Sequence, residues 1–368
     1  MNIINSRRLK TVFVFLIISS SLFAQLANFS FLQTSASDAG LIMNKYISPY
    51  ANAFGAGLSG GWYNTAKPHK FGGFDITSSI SVGIVPSSEG TFSLSSVLGS
   101  NLNNYTVTGT GNASTASGPA ISETTLASKL TVNGNPVAKF ALPEGANWNY
   151  IPVPILQVGI GLPLGSEVKV RYLPKINLGK NGDISLFGVG LMHSIMQYIP
   201  GHKLSPFDVS VFGGYTKLEG NVKLKMQPDY SFGAVNNFSG NFTSPTVWDN
   251  QKLNVTVAAY NISAIASVNL KVITFYAGLG YNKTNTTLKL SGNFPVPTAV
   301  TTPTARVEYN NTSLINVDTF NKYLEIKSDP KLRANIGFRL KLAILTIHVD
   351  YTRAMYNVVT AGLGFSFR

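Results

Sequence analysis

Alternation of apolar and polar side chains at period two runs through most of this chain, and it is clearest near the C-terminus. Tyr260, Ile262, Ala264, Ala266, Val268 and Leu270 oppose Asn261, Ser263, Ser267, Asn269 and Lys271. After a tight turn near Lys271-Val272 the phase reverses, with Ile273, Phe275, Ala277, Leu279 and Tyr281 apolar against Thr274, Gly278, Gly280 and Asn282. Leu332, Ala334, Ile336, Phe338, Leu340 and Leu342 then alternate with Lys331, Arg333, Asn335, Gly337, Arg339 and Lys341. The phase flips again for Leu345, Ile347, Val349 and Tyr351 against Thr346, His348, Asp350 and Thr352. Val359, Ala361, Leu363, Phe365 and Phe367 complete the series. Each run is a strand with one apolar and one polar face.

Upstream the same pattern predicts strands over Phe74 to Val85, Val153 to Leu162, Glu167 to Leu173, Asp183 to Gly190 and Phe207 to Met226, the last with a parity slip near Lys217 that suggests a bulge or a strand leaving the membrane. Glycine-rich Ala53 to Trp62 and Thr91 to Leu98 add two candidates. Leu191, Met192, Ile195, Met196 and Ile199 fall at helical spacing, so a short helix at the membrane interface, or packed across the barrel end, is expected there. Residues 25–50 read as an N-terminal plug or periplasmic arm, with Ser37-Asp38 capping a helix that ends at Pro49. Long polar stretches at 99–150 and 291–330 read as loops, the first with a hairpin around Asn133-Gly134.

Composition says where such strands live. Only 12% of the 368 residues are charged, about half the share of a soluble domain. The one long apolar run, Thr11 to Ala24, follows Arg7, Arg8 and Lys10. It is too short to span a bilayer and has the layout of a signal peptide over residues 1–24. An exported chain without spanning helices satisfies its backbone inside a membrane only as a closed barrel. The expectation is an all-β, antiparallel transmembrane β-barrel over 51–368 in the bacterial outer membrane, with 12 strands and 14 as the alternative, since such barrels take even numbers. With no Cys, neither disulfides nor a lipoprotein anchor is available. The formal charge of +13 falls by three, to +10, once Arg7, Arg8 and Lys10 leave with the signal peptide. That excess suits lipopolysaccharide phosphates, an anionic solute or solvent, and export excludes nucleic acid as a partner.

The end of the chain, Thr360-x-Gly362-x-x-Phe365-x-Phe367, resembles the C-terminal signal that outer-membrane barrels present to the barrel assembly machinery, with Arg368 one residue beyond it. Gly61-Trp62-Tyr63-Asn64-Thr65-Ala66-Lys67-Pro68-His69-Lys70, Gly73-Phe74-Asp75, Ser194 to Gly201 and Pro206 to Ser210 resemble a family of uncharacterised exported barrels. More distantly, the apolar N-terminal segment and glycine-rich stretch resemble FadL-like long-chain fatty-acid transporters, which carry an N-terminal hatch. The Asn-Pro-Ala hatch motif of that family is replaced here by Asn64-Thr65-Ala66, so the resemblance transfers no hatch or ligand residue.

For chemistry, Gly57-Leu58-Ser59-Gly60-Gly61 matches G-x-S-x-G, a motif that needs a strand-to-helix elbow. His348 and Asp350 on one face would be the partners of a membrane-embedded hydrolase, the weaker alternative to a non-enzymatic barrel. The four His, at 69, 193, 202 and 348, show no metal spacing, and no cofactor is expected. The inward charges are the stronger lead: Glu167, Lys169, Arg171, Arg333, Arg339, Lys341, His348, Asp350 and Arg353 are the candidate pore-lining set. They would favour an anionic or amphipathic small ligand, or form cross-strand ion pairs filling a narrow barrel. A passive channel for small amphipathic or hydrophobic molecules leads on this reading. A structural, adhesive or assembly-partner barrel acting through its loops is the alternative, and outer-membrane lipids surround either.

Overall fold

The computed structural model describes residues 36–121, 124–129, 131–132, 135–136, 139–177, 182–200, 206–224, 249–292, 297–300, 306–309 and 324–367. The expected signal peptide, the first residues of the plug, the tip at Asn133-Gly134 and most of the stretch 230–251 lie outside the described residues.

Ten long strands form the wall: β1 (Phe74–Ile84), β2 (Tyr150–Leu162), β3 (Ser166–Asn177), β4 (Gly182–Ser194), β5 (Phe207–Lys223), β6 (Lys252–Leu270), β7 (Ile273–Ser291), β8 (Lys331–Leu342), β9 (Leu345–Arg353) and β10 (Asn357–Phe367). Each pairs antiparallel with the next, and β10 pairs with β1 from Phe367↔Phe74 to Asn357↔Ile84, which closes the ring. A short strand, Glu325–Lys327, pairs with β7 outside that ring. The barrel therefore has 10 strands rather than the expected 12. Ala53 to Trp62 is not a strand, because it continues a helix, α1 (Ala36–Ser59). Thr91–Ser93 is a short strand paired with Asn112–Ser114 and followed by a helical turn over Leu94–Leu98.

The two tightest connections fall at one end. β6–β7 and β8–β9 are joined by two-residue turns in which Lys271 and Ala343 take positive φ, 58° and 53°. Such a backbone costs a non-glycine residue roughly 1 kcal/mol, which a continuous hydrogen-bonded ladder on either side offsets. Chain segments 85–149, 224–251 and 292–330 connect strands at the opposite, loop end. Residues Leu191 to Ile199 do not form the expected helix: β4 runs to Ser194, and only Met196–Tyr198 makes a 3-10 turn. The bulge expected near Lys217 is absent, since β5 pairs with β6 in unbroken register. A register shift occurs instead in β3, between Leu173 and Ile176.

Outside, the wall is apolar. Phe74, Ile76, Leu156, Ile160, Phe187, Leu191, Ile262, Phe275, Leu279, Ile336, Phe338, Leu363, Phe365 and Phe367 are all exposed. From Val359 to Phe367 this belt covers on the order of 25 Å along the strand at ~3.3 Å per residue. Among the described residues no helix is long and apolar enough to cross a membrane.

Inside, α1 enters from the loop end and its last turn reaches the barrel interior. Its first turn is anchored by buried Asp38, which accepts from Asn101 Nδ2 at 2.7 Å and from the Tyr105 hydroxyl at 2.8 Å. A carboxylate there also suits the positive end of the helix dipole. Ala39, Ile42, Met43, Tyr46 and Tyr50 recur at helical spacing and pack with Phe92, Leu94, Leu98 and Leu126 of the 85–149 segment. Leu253, Leu288 and Leu290, on the extensions of β6 and β7, complete this apolar dome. Deeper, Leu58 meets Val153, Ile155, Leu186, Leu218 and Val257. The parity slip read near Lys217 is thereby explained. Ser210, Thr216 and Leu218 all point inward, and the interior changes from polar to apolar at that level.

Candidate functional site

The polar part of the lumen is occupied by the chain's own residues 60–73, which run from the end of α1 to the start of β1 at the turn end. Aromatic side chains lead: Trp62 and Tyr63 pack with Met192, Phe212, Ile265 and Tyr276. The wall thins to admit them, since a Cβ on Gly190 or Gly214 would come within 2.9 Å of Trp62 and 2.8 Å of Phe212.

Four last-turn contacts hold α1 to three different strands. Arg171 on β3 donates from Nη1 to the Leu58 carbonyl and from Nη2 to the Gly60 carbonyl, each at 2.7 Å. Arg333 on β8 donates to the Ser59 carbonyl at 3.2 Å, and Asn261 on β6 donates to the same oxygen at 3.3 Å. A helix leaves its final carbonyls without intrahelical donors and carries partial negative charge there. Two guanidinium groups supply both the donors and the countercharge. Arg171 is fully buried, takes Gln157 Oε1 at 3.0 Å through Nε, and lies over the Trp62 ring at 3.5 Å.

Nearer the turn end, Tyr63 donates to Asn335 Oδ1 at 2.8 Å, Tyr276 donates to Asp350 Oδ2 at 3.1 Å, and Arg339 donates to Asn64 Oδ1 at 3.1 Å. Ser210 on β5 donates to the Ala66 carbonyl at 2.5 Å, and the Ala66 amide donates to Ser267 at 3.0 Å. At the bottom, the His69 amide donates to Glu167 Oε2 at 2.9 Å, while its ring Nδ1 lies 3.1 Å from that oxygen and 3.7 Å from Asp75 Oδ1. These three ligand-type atoms fall within 4.8 Å of one another. Lys169 pairs with both carboxylates, closely with Glu167 and at 3.9 Å with Asp75. An ammonium already meets the two carboxylates, so we read the group as a latch between plug and wall.

The inward set read from the sequence is thus brought together, but around the plug and not around an open path. Glu167, Lys169, Arg171, Arg333, Arg339, His348 and Asp350 are buried in the lumen, and half-buried Lys341 donates to Ser366 at 3.2 Å. Arg353 departs from it, being exposed on the outward parity of β9. His348 has no hydrogen-bond partner on either ring nitrogen among the described residues and packs against Gly362, where a side chain would collide with it. Ser59 lies in the last turn of α1 and donates to the Gly55 carbonyl at 3.2 Å, so its G-x-S-x-G sequence forms no strand-to-helix elbow. Of the C-terminal motif, Thr360 shares a hydrogen bond of 2.9 Å with Ser81, and Phe367 stacks on Phe74 with ring centres 4.8 Å apart. Trp62, Tyr63, His69, Gln157 and Tyr276 were not among the candidates. Gln157 and Tyr276 sit on the inward parity of β2 and β7, so alternation could have found them, whereas Trp62, Tyr63 and His69 lie outside the strands, where no alternation orients a side chain.

In the dome, burial pushes the Tyr50 phenol up to about 12, and burial followed by neighbouring Tyr50 raises Tyr46 as well. Both stay protonated and donate to backbone carbonyls, Tyr50 to Trp148 at 2.8 Å and Tyr46 to Glu144 at 2.9 Å.

Several solved barrels are similar in part. The translocator domain of autotransporter NalP from Neisseria meningitidis is 8% identical, covering 87% of this chain and 93% of that chain, with a TM-score of 0.28. Ail, the attachment invasion locus protein of Yersinia pestis, is 8% identical over 80% and 97%, with a TM-score of 0.22. The toluene transporter TodX of Pseudomonas putida is 9% identical over 80% and 89%, with a TM-score of 0.24. All three superpose only loosely on this chain. Among curated proteins none matches the chain. One sequence family matches residues 4–367, nearly the full length, and the chain belongs to it: a family of unknown function, DUF6588.

Proposed function

We propose that this chain is an outer-membrane β-barrel held shut by its own N-terminal segment, and that it acts from the dome at its loop end as a structural or adhesive surface. The apolar belt supports a bilayer location, because a closed antiparallel ring leaves no backbone group unpaired in lipid. The two-residue turns at one end and the three longest connections, 85–149, 224–251 and 292–330, at the other support an orientation with the dome outside the cell. β10, directly paired with β1, carries the signal for the assembly machinery on this reading.

The observation that carries the closed state is the set of bonds from Arg171, Arg333 and Asn261 to the last carbonyls of α1. They fix the helix end to β3, β8 and β6 around the circumference, where a mobile hatch would need weak contacts. Reconstitution into liposomes tests the proposal. Entrapped small solutes, anionic and amphipathic, should stay inside, and steady flux through the wild-type chain would overturn it.

A second reading, a passive route for small amphipathic or hydrophobic molecules, draws on a pocket between α1 and the wall. Asn52, Ala56, Asn282, Thr284, Ser328 and Lys331 help line it, beside the place where β7 changes partner from Glu325–Lys327 to β8. It predicts saturable uptake of a hydrophobic probe that is lost when the pocket is filled by Ala56→Leu.

A further inference from the structure

Four of the five strands that run from the turn end to the loop end carry the same outward device. β5 reads Tyr215-Thr216-Lys217, β7 reads Tyr281-Asn282-Lys283 and β9 reads Tyr351-Thr352-Arg353; in β3 Lys175 follows Tyr172 across the register shift. Tyr172, Tyr281 and Tyr351 are exposed at the upper border of the apolar belt. Lys283 and Arg353 are exposed too, and neither has a side-chain partner among the described residues. Lys217 and Lys175 are tied to Glu219 at 2.5 Å and Asp183 at 3.3 Å.

A tyrosine on the lipid side of a barrel settles at the headgroup boundary. A residue two positions on lies ~6–7 Å farther along the strand, about the depth of one headgroup layer. The free cations at that level are gathered on one face. Lys283 and Arg353 belong to the strands on either side of β8, whose own first residue, Lys331, lies on the inward parity and lines the pocket beside α1. Directly below, Tyr281 pairs with Leu332 and Tyr351 with Ile336, all four exposed. Apolar side chains under two exposed cations match a molecule with acyl chains below and phosphate above.

We propose that the β7–β9 face is a binding site for a phosphorylated glycolipid of the outer leaflet, its phosphates held by Lys283 and Arg353 and its acyl chains lying on Leu332 and Ile336. The proposal rests on the outer-membrane location and dome-outward orientation given above. It is independent of whether the lumen conducts.

Native mass spectrometry of the purified full-length protein in detergent tests it, with bisphosphoryl lipid A and its dephosphorylated counterpart as probes. The wild type should retain the bisphosphoryl form at least tenfold better, and rising salt should erase the preference. Lys283→Ala with Arg353→Ala should remove it, while Lys70→Ala, at the turn end, should leave it intact. Heat-modifiable electrophoretic migration establishes that each variant is a folded barrel. No preference in the folded wild type, or an unchanged preference in the double variant, overturns the site. A wild-type chain that does not insert into bilayers at all would instead overturn the outer-membrane reading on which it rests.

Discussion

The guanidinium of Arg171 lies 3.5 Å from the centre of the Trp62 ring, so one wall residue grips the plug both at its helix end and at the aromatic that follows. Its charge is met by two carbonyls, one amide oxygen and a π face.

Arg171→Ala leaves the Leu58 and Gly60 carbonyls without these donors in the barrel interior. Charge-assisted bonds of this kind contribute ~1.5–3 kcal/mol each, so a loss of about 3 kcal/mol or more is expected. Thermal unfolding in detergent reads it. Arg171→Lys should recover only part, because an ammonium lacks the fork that reaches both oxygens.

Gly83→Ala tests the packing of α1 against β1. A Cβ at Gly83 would collide with the Ala53 backbone carbonyl, which cannot rotate away. The helix must shift, at a cost of about 1–3 kcal/mol. The expected result is a lower unfolding temperature together with faster proteolysis in the 36–59 region, while the strand content measured by circular dichroism stays unchanged.

The strands were readable because each has lipid-type side chains on one face only, and a period of two survives any tertiary context. The ten strands read most clearly are the ten that form the ring. Of the two extra candidates, Thr91 to Leu98 forms a strand only over Thr91–Ser93, outside the ring, and Ala53 to Trp62 forms none. Ala53 to Trp62 alternates small and large residues, yet Ala39, Ile42, Met43, Tyr46, Tyr50 and Ala53 mark one helical face. Pro49 suggested a stop, because proline inside a helix costs roughly 3 kcal/mol. Enclosure by the dome and barrel offsets that cost, and only the fold supplies the enclosure. The inward charges were legible by parity apart from Arg353, on the opposite face. What they touch was not, since Arg171 and Leu58 lie far apart in sequence.

The tyrosines of the dome give a pH dependence with a definite sign. The Tyr50 pKa is raised in the folded state to about 12, against about 10 for an unfolded chain. Its stabilising contribution is complete below pH ~10 and is lost as pH rises from there to the folded value. Tyr46 and Tyr356 are raised by burial as well, so dome unfolding should track alkaline titration of phenolate absorbance. Tyr50→Phe should lower stability at neutral pH and flatten the alkaline decline. An undiminished decline in that variant would assign the effect elsewhere.

Because the chain has no cysteine, single introduced thiols report orientation without background. Ser100→Cys, exposed in the dome, should react with an impermeant maleimide on intact cells. Lys70→Cys, exposed at the turn end, should react only after the outer membrane is permeabilised. The reverse pattern would invert the orientation.

Planar-bilayer conductance of the wild-type chain beside the variant Arg171→Ala with Arg333→Ala tests the closed lumen most directly. The account predicts an electrically silent wild type and intermittent openings in the double variant, as the end of α1 loses its hold on β3 and β8. A wild-type chain that shows a steady open pore, with the same conductance as the double variant, would contradict it.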